Sequence, residues 1–258
     1  MPRVAQIPGR VIDRNLASSL LTGLLAWWKL DEASGNTRVE SVNTGGGNDS
    51  DAAEVGGTVN AVTGAINNGA EALAAGTPYL EVTSNAEIDV SGGDFTVHLL
   101  FRVNTTWNAL DQDIITKGVG SSSNREWHIL TQGTSLGAES IKLRVFNNNS
   151  EFANVLIPMP SGSKVDAFFQ CILQLDNTTA NAITGRINST TAEGADNVST
   201  GTSGTYTTDE GANLWFGRFG SGSGATIYLD EIGLWNRVLT SAEKTTLWNS
   251  GSFLSYPF

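Results

Sequence analysis

The 258-residue chain contains one cysteine, two histidines, two methionines and six prolines. One thiol excludes an internal disulfide framework. Cys171 sits inside the apolar run AFFQCILQL, where it reads as a small buried hydrophobe. Positive charge is also scarce: 15 Lys and Arg stand against 26 Asp and Glu, a formal net charge of −11. The basic residues form no stripe that could neutralise a row of phosphates, which excludes nucleic acid as a partner and disfavours an anionic membrane surface. Long hydrophobic runs are missing as well. The stretch LASSLLTGLLAWW near the N-terminus is too short and too polar to span a bilayer, and no small-residue cleavage site follows it. The sequence therefore reads as a soluble protein made in a cytoplasm without classical secretion. There is no Walker loop and no Gly-rich turn between a strand and a helix. His98 and His128 lie in strand patterns with no Asp-His-Ser arrangement, and read as structural.

What the chain does have is 40% hydrophobic residues and 29 glycines, distributed as short apolar runs separated by Gly, Ser, Thr and Asn. In DFTVHLLFRV (94–103), Phe95, Val97, Leu99, Phe101 and Val103 alternate with Thr96, His98, Leu100 and Arg102, the period of two of a half-buried strand. LLAWWKL, YLEV, DIITK, EWHILTQ, IKLRVF, AFFQCILQL, AITGRINST, NLWFGRF and TIYLDEIGLW continue the series. KGVGSSSN, NNNSE, PMPSGSK and FGSGSGA between them are loops by composition. Many short strands, turn-rich gaps and no fixed-period repeat indicate stacked antiparallel sheets or a barrel. One helix is legible. Thr240 as N-cap with Glu243 three residues on makes a capping box, the helix runs to about Asn249, Gly251 supplies the left-handed stop, and Leu239, Leu247 and Trp248 pin it to the sheets.

Residues 1–23 differ from the rest. Pro2, Pro8 and Gly9, with Arg3, Arg10 and Arg14, give an extended, locally basic arm, either disordered or ordered by lying on a neighbouring subunit. The expected organisation is an arm over 1–23 and a β-sandwich over 24–258.

Four segments in order resemble the laminin-G-like family of concanavalin-type jelly rolls: LLAWWKLDEASGNTRVESV, VTGAINNGAEALAAGTPYLEV, GGDFTVHLLFRV with DIITKG, and NLWFGRFGSGSGATIYLDEIGLWNRVLTSAEKTTLWNSG. The last is the most specific, since the family's Asp-Glu, aromatic-Asn-Arg and Ser-x-x-Glu steps all occur in it. The resemblance covers roughly residues 24–251 and is weakest over 150–205. It implies an all-β fold: a two-sheet antiparallel jelly-roll sandwich with a short C-terminal helix and an extended N-terminal arm. It also implies one structural Ca²⁺ tying the opening loop to the closing strand. The corresponding ligands here are Asp230 and Glu40, the latter in place of the family's usual Asp, with Asn43 nearby. Calcium takes six to eight oxygens, so backbone carbonyls would complete such a shell.

Some folds of this type are retaining glycosidases, which need a nucleophile and an acid/base on one face. EIDVSGG (87–93) begins that motif with Glu87 and Asp89 but has Ser91 and Gly92 where the third acid belongs, so catalysis is not expected. Asp230 and Glu231 are adjacent in a strand, which by alternation puts them on opposite faces, one toward the loop or a metal and one toward solvent or a neighbouring Arg. Glycan binding needs flat aromatics with planar polar groups. Trp107 and Trp127 are the leading candidates, with Trp215 and Tyr206 behind them, while Trp27, Trp28, Trp235 and Trp248 read as core. The function expected from the sequence is therefore non-enzymatic. It is that of a bacteriophage virion protein, a capsid decoration or a head or tail appendage, made in the host cytoplasm. Such a protein would contact the major capsid or tail protein, form a homo-oligomer on the particle and have the capacity to bind host glycans. The alternative is a carbohydrate-binding module unconnected with a virus.

Overall fold

The computed structural model describes residues 18–42, 50–72, 78–90, 92–103, 112–118, 125–132, 139–147, 150–160, 167–177, 182–200, 211–218 and 227–258. Two antiparallel sheets account for most of them. One runs β13 (Asn197–Thr200), β12 (Ala182–Asn188), β11 (Phe169–Asp176), β6 (Phe95–Val103), β15 (Ile227–Trp235), β4 (Asn68–Ala72) and β3 (Ala61–Thr63), with β1 (Leu24–Trp28) also paired to β15. The other runs β10 (Ser150–Pro158), β9 (Ser140–Asn147), β8 (Arg125–Gln132), β7 (Gln112–Gly118), β14 (Leu214–Phe216), β5 (Tyr79–Val82) and β2 (Ala52–Val55).

The alternation read in β6 decides what lies between the sheets. Phe95, Val97, Leu99, Phe101 and Val103 join the main core, together with Cys171, Leu173 and Leu175 of β11 and Ile129, Leu143 and Val145 of the facing sheet. Adjacent Trp27 and Trp28 divide between two layers. Trp28 points into the main core, edge-on to Phe216 at 5.2 Å. Trp27 belongs to a smaller core on the outside of the eight-stranded sheet, with Leu20, Leu24, Ile172, Trp235, Leu239, Leu247 and Leu254. Both rings are fully buried, and truncating either to Ala would cost about 3–5 kcal/mol.

The outer core is built where residues 18–24 meet the segment from Leu239 onward. The helix α1 (Ser241–Trp248) has the expected capping box at Thr240 and Glu243. Its left-handed stop is Asn249 (φ 49°), one of the residues that tolerates αL, rather than Gly251. Leu239 and Leu247 are buried beneath it, and Trp248 donates to the Ser189 carbonyl. Residues 18–23, assigned from sequence to the arm, are tied to this closing segment. Arg237 donates to the carbonyls of Ser19 and Thr22, Ser19 Oγ donates to Glu243, and Leu20 is fully buried. Arg3, Arg10 and Arg14 lie outside the described residues. Among the described residues no helix is long and apolar enough to cross a membrane.

Candidate functional site

The closing strand β15 has β6 along one side. Its other side is shared: β4 pairs with Ile227–Leu229, and β1 pairs with Ile232–Trp235. Asp230 and Glu231 fall at the handover. The ladder to β6 shifts between Asp230 and Gly233, a β-bulge, and Glu231 has φ 47°. The extra residue breaks the simple alternation. Leu229 and Ile232 both reach the main core, while Glu231 accepts a hydrogen bond from the Trp27 indole in the outer core. The pair is thus not split between faces, and neither acid meets solvent or an arginine among the described residues. Both are fully buried.

Asp230 lies under the β3–β4 turn and accepts the Ile66 amide at 2.9 Å. Its Oδ1 has no hydrogen-bond partner among the described residues. Burial pushes its pKa up to about 9, amides of Ile66 and Ala65 pull the other way, and the charges of Glu231 and Asp31 add to the rise. Burial likewise raises Glu231 to about 7, against hydrogen bonds from Ser255 and Trp27. Beside them, Asp31 accepts the Asn68 amide at 3.1 Å, joining the end of β1 to the start of β4. These acids seal a seam between strands. They are not a catalytic pair in a groove.

His98 belongs to the same layer. Its ring stacks on Trp27 at 5.1 Å, and Nδ1 lies 2.9 Å from the Glu231 carbonyl, which can only accept. Nε2 faces the Gln170 side-chain nitrogen at 3.0 Å, so it accepts there, and Gln170 in turn accepts from Asn188. Burial lowers the His98 pKa to about 3, a neutral structural imidazole. His128 is also buried, packed on Phe146 at 4.9 Å.

Two of the expected calcium ligands are engaged by backbone amides. Glu40 Oε1 accepts the Trp27 and Val42 amides at 2.9 and 2.6 Å, at the end of β1. Asp230 is engaged under the β3–β4 turn, and Asn43 lies outside the described residues. Among the described residues no group of three or more His, Cys, Asp or Glu could hold a metal ion.

Of the aromatic candidates, Trp127 is corrected. It points into the main core, 1% exposed, with its ring 5.8 Å from Phe95. Alternation along β8 turns it inward, out of reach of a sugar. Trp107 and Tyr206 lie outside the described residues. Trp215 is on the outer face of the seven-stranded sheet, opposite Glu81 of β5 and Thr116 of β7. Its ring is not a bare platform, because the Arg218 guanidinium lies over it at 4.2 Å and over Tyr79 at 5.1 Å. The Trp215 indole donates to Glu81. Gly217, at φ 73° with its amide on the Ile114 carbonyl at 2.8 Å, turns the chain so that Arg218 folds back over the sheet. Tyr79, Glu81 and Arg218 are all partly exposed. Sequence reading identified Trp215 but missed the other three. The available signal was Tyr79 and Glu81 two apart in YLEV, on the same face as Trp215.

A second arginine–aromatic cluster lies on the outside of the other sheet, where Arg102 sits over Tyr228 at 4.3 Å and Phe168 at 5.1 Å.

No protein-family model matches this chain, and no curated protein does. Solved structures do. The binding domain of Paraclostridial Mosquitocidal Protein 1 is similar at TM-score 0.62 and 15% identity over 88% of this chain and 51% of its own. The binding domain of botulinum neurotoxin DC, in complex with SialylT, is similar at 0.67 and 14% over 90% and 52%. Trypanosoma rangeli sialidase in complex with sialic acid is similar at 0.59 and 14% over 91% and 34%. These likenesses establish the fold. The chain spans about half the length of the toxin binding domains it matches.

Proposed function

We propose that this chain is a non-enzymatic, glycan-binding β-sandwich, a jelly roll of the concanavalin type, whose ligand face includes Tyr79, Glu81 and Arg218. The Arg218 cluster carries the reading. Two aromatic rings fix a planar cation, and an indole fixes a neighbouring carboxylate, on the outside of a sheet whose partner sheet is the one the helix covers. Pre-positioned planar polar groups are what the hydroxyls of sugar rings require. The similar structures support carbohydrate as the ligand class, since entry of botulinum neurotoxin type C depends on interaction with two ganglioside molecules. The non-enzymatic part is supported by the closing strand, whose acids are buried in a seam. A glycan array with the full chain tests the proposal. Binding weakened by Arg218→Ala supports it, and no ligand at millimolar concentration counts against it.

The virion role belongs to the same proposal as its setting, a capsid decoration or head or tail appendage that presents the sandwich on a particle. It is favoured by the acidic sandwich behind an arm bearing Arg3, Arg10 and Arg14. Deleting residues 1–17, which spares buried Leu20, should leave a folded sandwich that no longer copurifies with particles. Copurification unchanged by the deletion would remove the arm from the account.

A further inference from the structure

We infer that the glycan this protein takes is an acidic one, its carboxylate received by Arg218. The inference rests on the glycan-binding reading and narrows its substrate class. Arg38, Arg186 and Arg237 are each paired with carboxylates inside the protein: Glu54, Asp196 with Glu193, and Glu243. Arg218 is partnered differently. Its guanidinium is held by the rings of Trp215 and Tyr79 and makes no ion pair with any described residue. On an acidic chain with abundant carboxylates, this arginine is partly exposed and bridged to none of those among the described residues.

The position over two rings also bears on how such a cation can bind. A guanidinium on a ring face is engaged through its flat side, while its N–H donors point outward in its own plane. That plane matches a carboxylate, which takes two parallel hydrogen bonds edge-on. The rings hold the fork in place, so less freedom is lost on binding. Glu81 complements it. One carboxylate oxygen accepts the Trp215 indole, and the other is placed to accept a sugar hydroxyl. A carboxylated sugar ring, whether a uronic or a sialic acid, offers both groups on one face. A neutral sugar would leave the guanidinium without its anion.

The test uses the full chain with polygalacturonate and colominic acid, each beside its carboxyl-reduced form, which keeps the backbone and removes the charge. The expected result is that at least one acidic polymer binds about tenfold or more tighter than its reduced form, equivalent to about 1.4 kcal/mol. Arg218→Gln should abolish that preference with the melting temperature unchanged. Arg218→Lys, which keeps the charge but loses the fork, should retain only part of it. Arg102→Gln, the same charge change on the opposite sheet, should leave it intact. Equal binding of acidic and reduced forms, or of neutral array glycans alone, would overturn the inference and leave the glycan-binding reading standing. A preference that survives Arg218→Gln, or that falls with Arg102→Gln instead, would also overturn it. Silence from every glycan on the array would take both down together.

Discussion

Trp27, in the first strand, donates its indole N–H to the carboxylate of Glu231, in the last, across 204 residues of sequence. The bond closes the fold at the point where β15 changes partner from β4 to β1. It also explains why two adjacent acids are tolerated in a buried strand. Asp230 accepts an amide of the β3–β4 turn and Glu231 accepts the Trp27 indole, each through one oxygen, and both can carry a proton.

Their titration predicts an unusual pH profile. Asp230 and Glu231 have folded pKa values of about 9 and about 7, above their ordinary values of 3.8 and 4.5. Each contribution is complete below the ordinary value and is lost as pH rises through the folded one. His98, lowered from 6.5 to about 3, and Glu243, lowered from 4.5 to about 2, behave oppositely. Their contributions are complete above the ordinary values and are lost as pH falls through the folded ones. From pH 9 to 6.5 only the acids act, and stability rises on lowering the pH by up to about 1.4 kcal/mol per unit for each proton taken up. Below 4.5 His98 and Glu243 dominate and stability falls. The melting temperature should be higher at pH 6.5 than at 8.5 by on the order of 5 °C, with its maximum between 4.5 and 6.5. A flat or reversed trend above pH 6.5 in thermal melts would refute this.

Gly233 pairs with Trp27 across the same seam, and a Cβ there would sit 2.5 Å from the Trp27 ring and 2.9 Å from that of Trp235. Gly233→Ala should destabilise by about 1–3 kcal/mol through overpacking, read as a lower denaturant midpoint. An unchanged midpoint would show that the outer core is looser than its ring contacts indicate.

Glu243 caps α1, pairs with Arg237 and accepts from Ser19. Glu243→Ala removes all three and leaves Arg237 without its carboxylate, at a cost of about 2–3 kcal/mol. At pH 2 to 3, where wild-type Glu243 is itself becoming protonated, the difference should shrink. Equilibrium unfolding at both pH values checks this, and an equal difference at each would mean the loss is packing alone.

Calcium gives a further check. Glu40 and Asp230 are each occupied by backbone amides at separate places. Millimolar Ca²⁺ or EDTA should therefore leave the melting temperature within about 1 °C. By mass action, an ion bound a hundredfold above its Kd would contribute about 2.7 kcal/mol and shift it by several degrees.

Much of this fold was legible as alternation. β6, with its period-two run, and the apolar runs of β11 and β15 were read directly, and so was the capping box, because its two side chains are close in sequence. β2, β3 and β4 were not read. They are short and rich in Ala and Gly, with too little pattern to mark a strand. β10 begins in what reads as an Asn-rich loop and carries a bulge between Glu151 and Ala153, which breaks its alternation. The same physics misled the reading of the acids. A bulge at Glu231 is a change of register, and periodicity assumes register. Trp127 was misread because an aromatic in a strand can face either way, and only the packing across from Phe95 decides. Arg218 was missed because what presents it is the conformation of Gly217.

The central claim is that the closing acids hold the fold while Arg218 meets the ligand. Its most direct measurement is the affinity of Arg218→Ala and Asp230→Asn chains for a glycan that the unaltered protein binds, each chain first shown to melt cooperatively. The account predicts about a tenfold or greater loss for Arg218→Ala and unchanged affinity for Asp230→Asn. Binding or turnover lost with Asp230→Asn and retained with Arg218→Ala would contradict it.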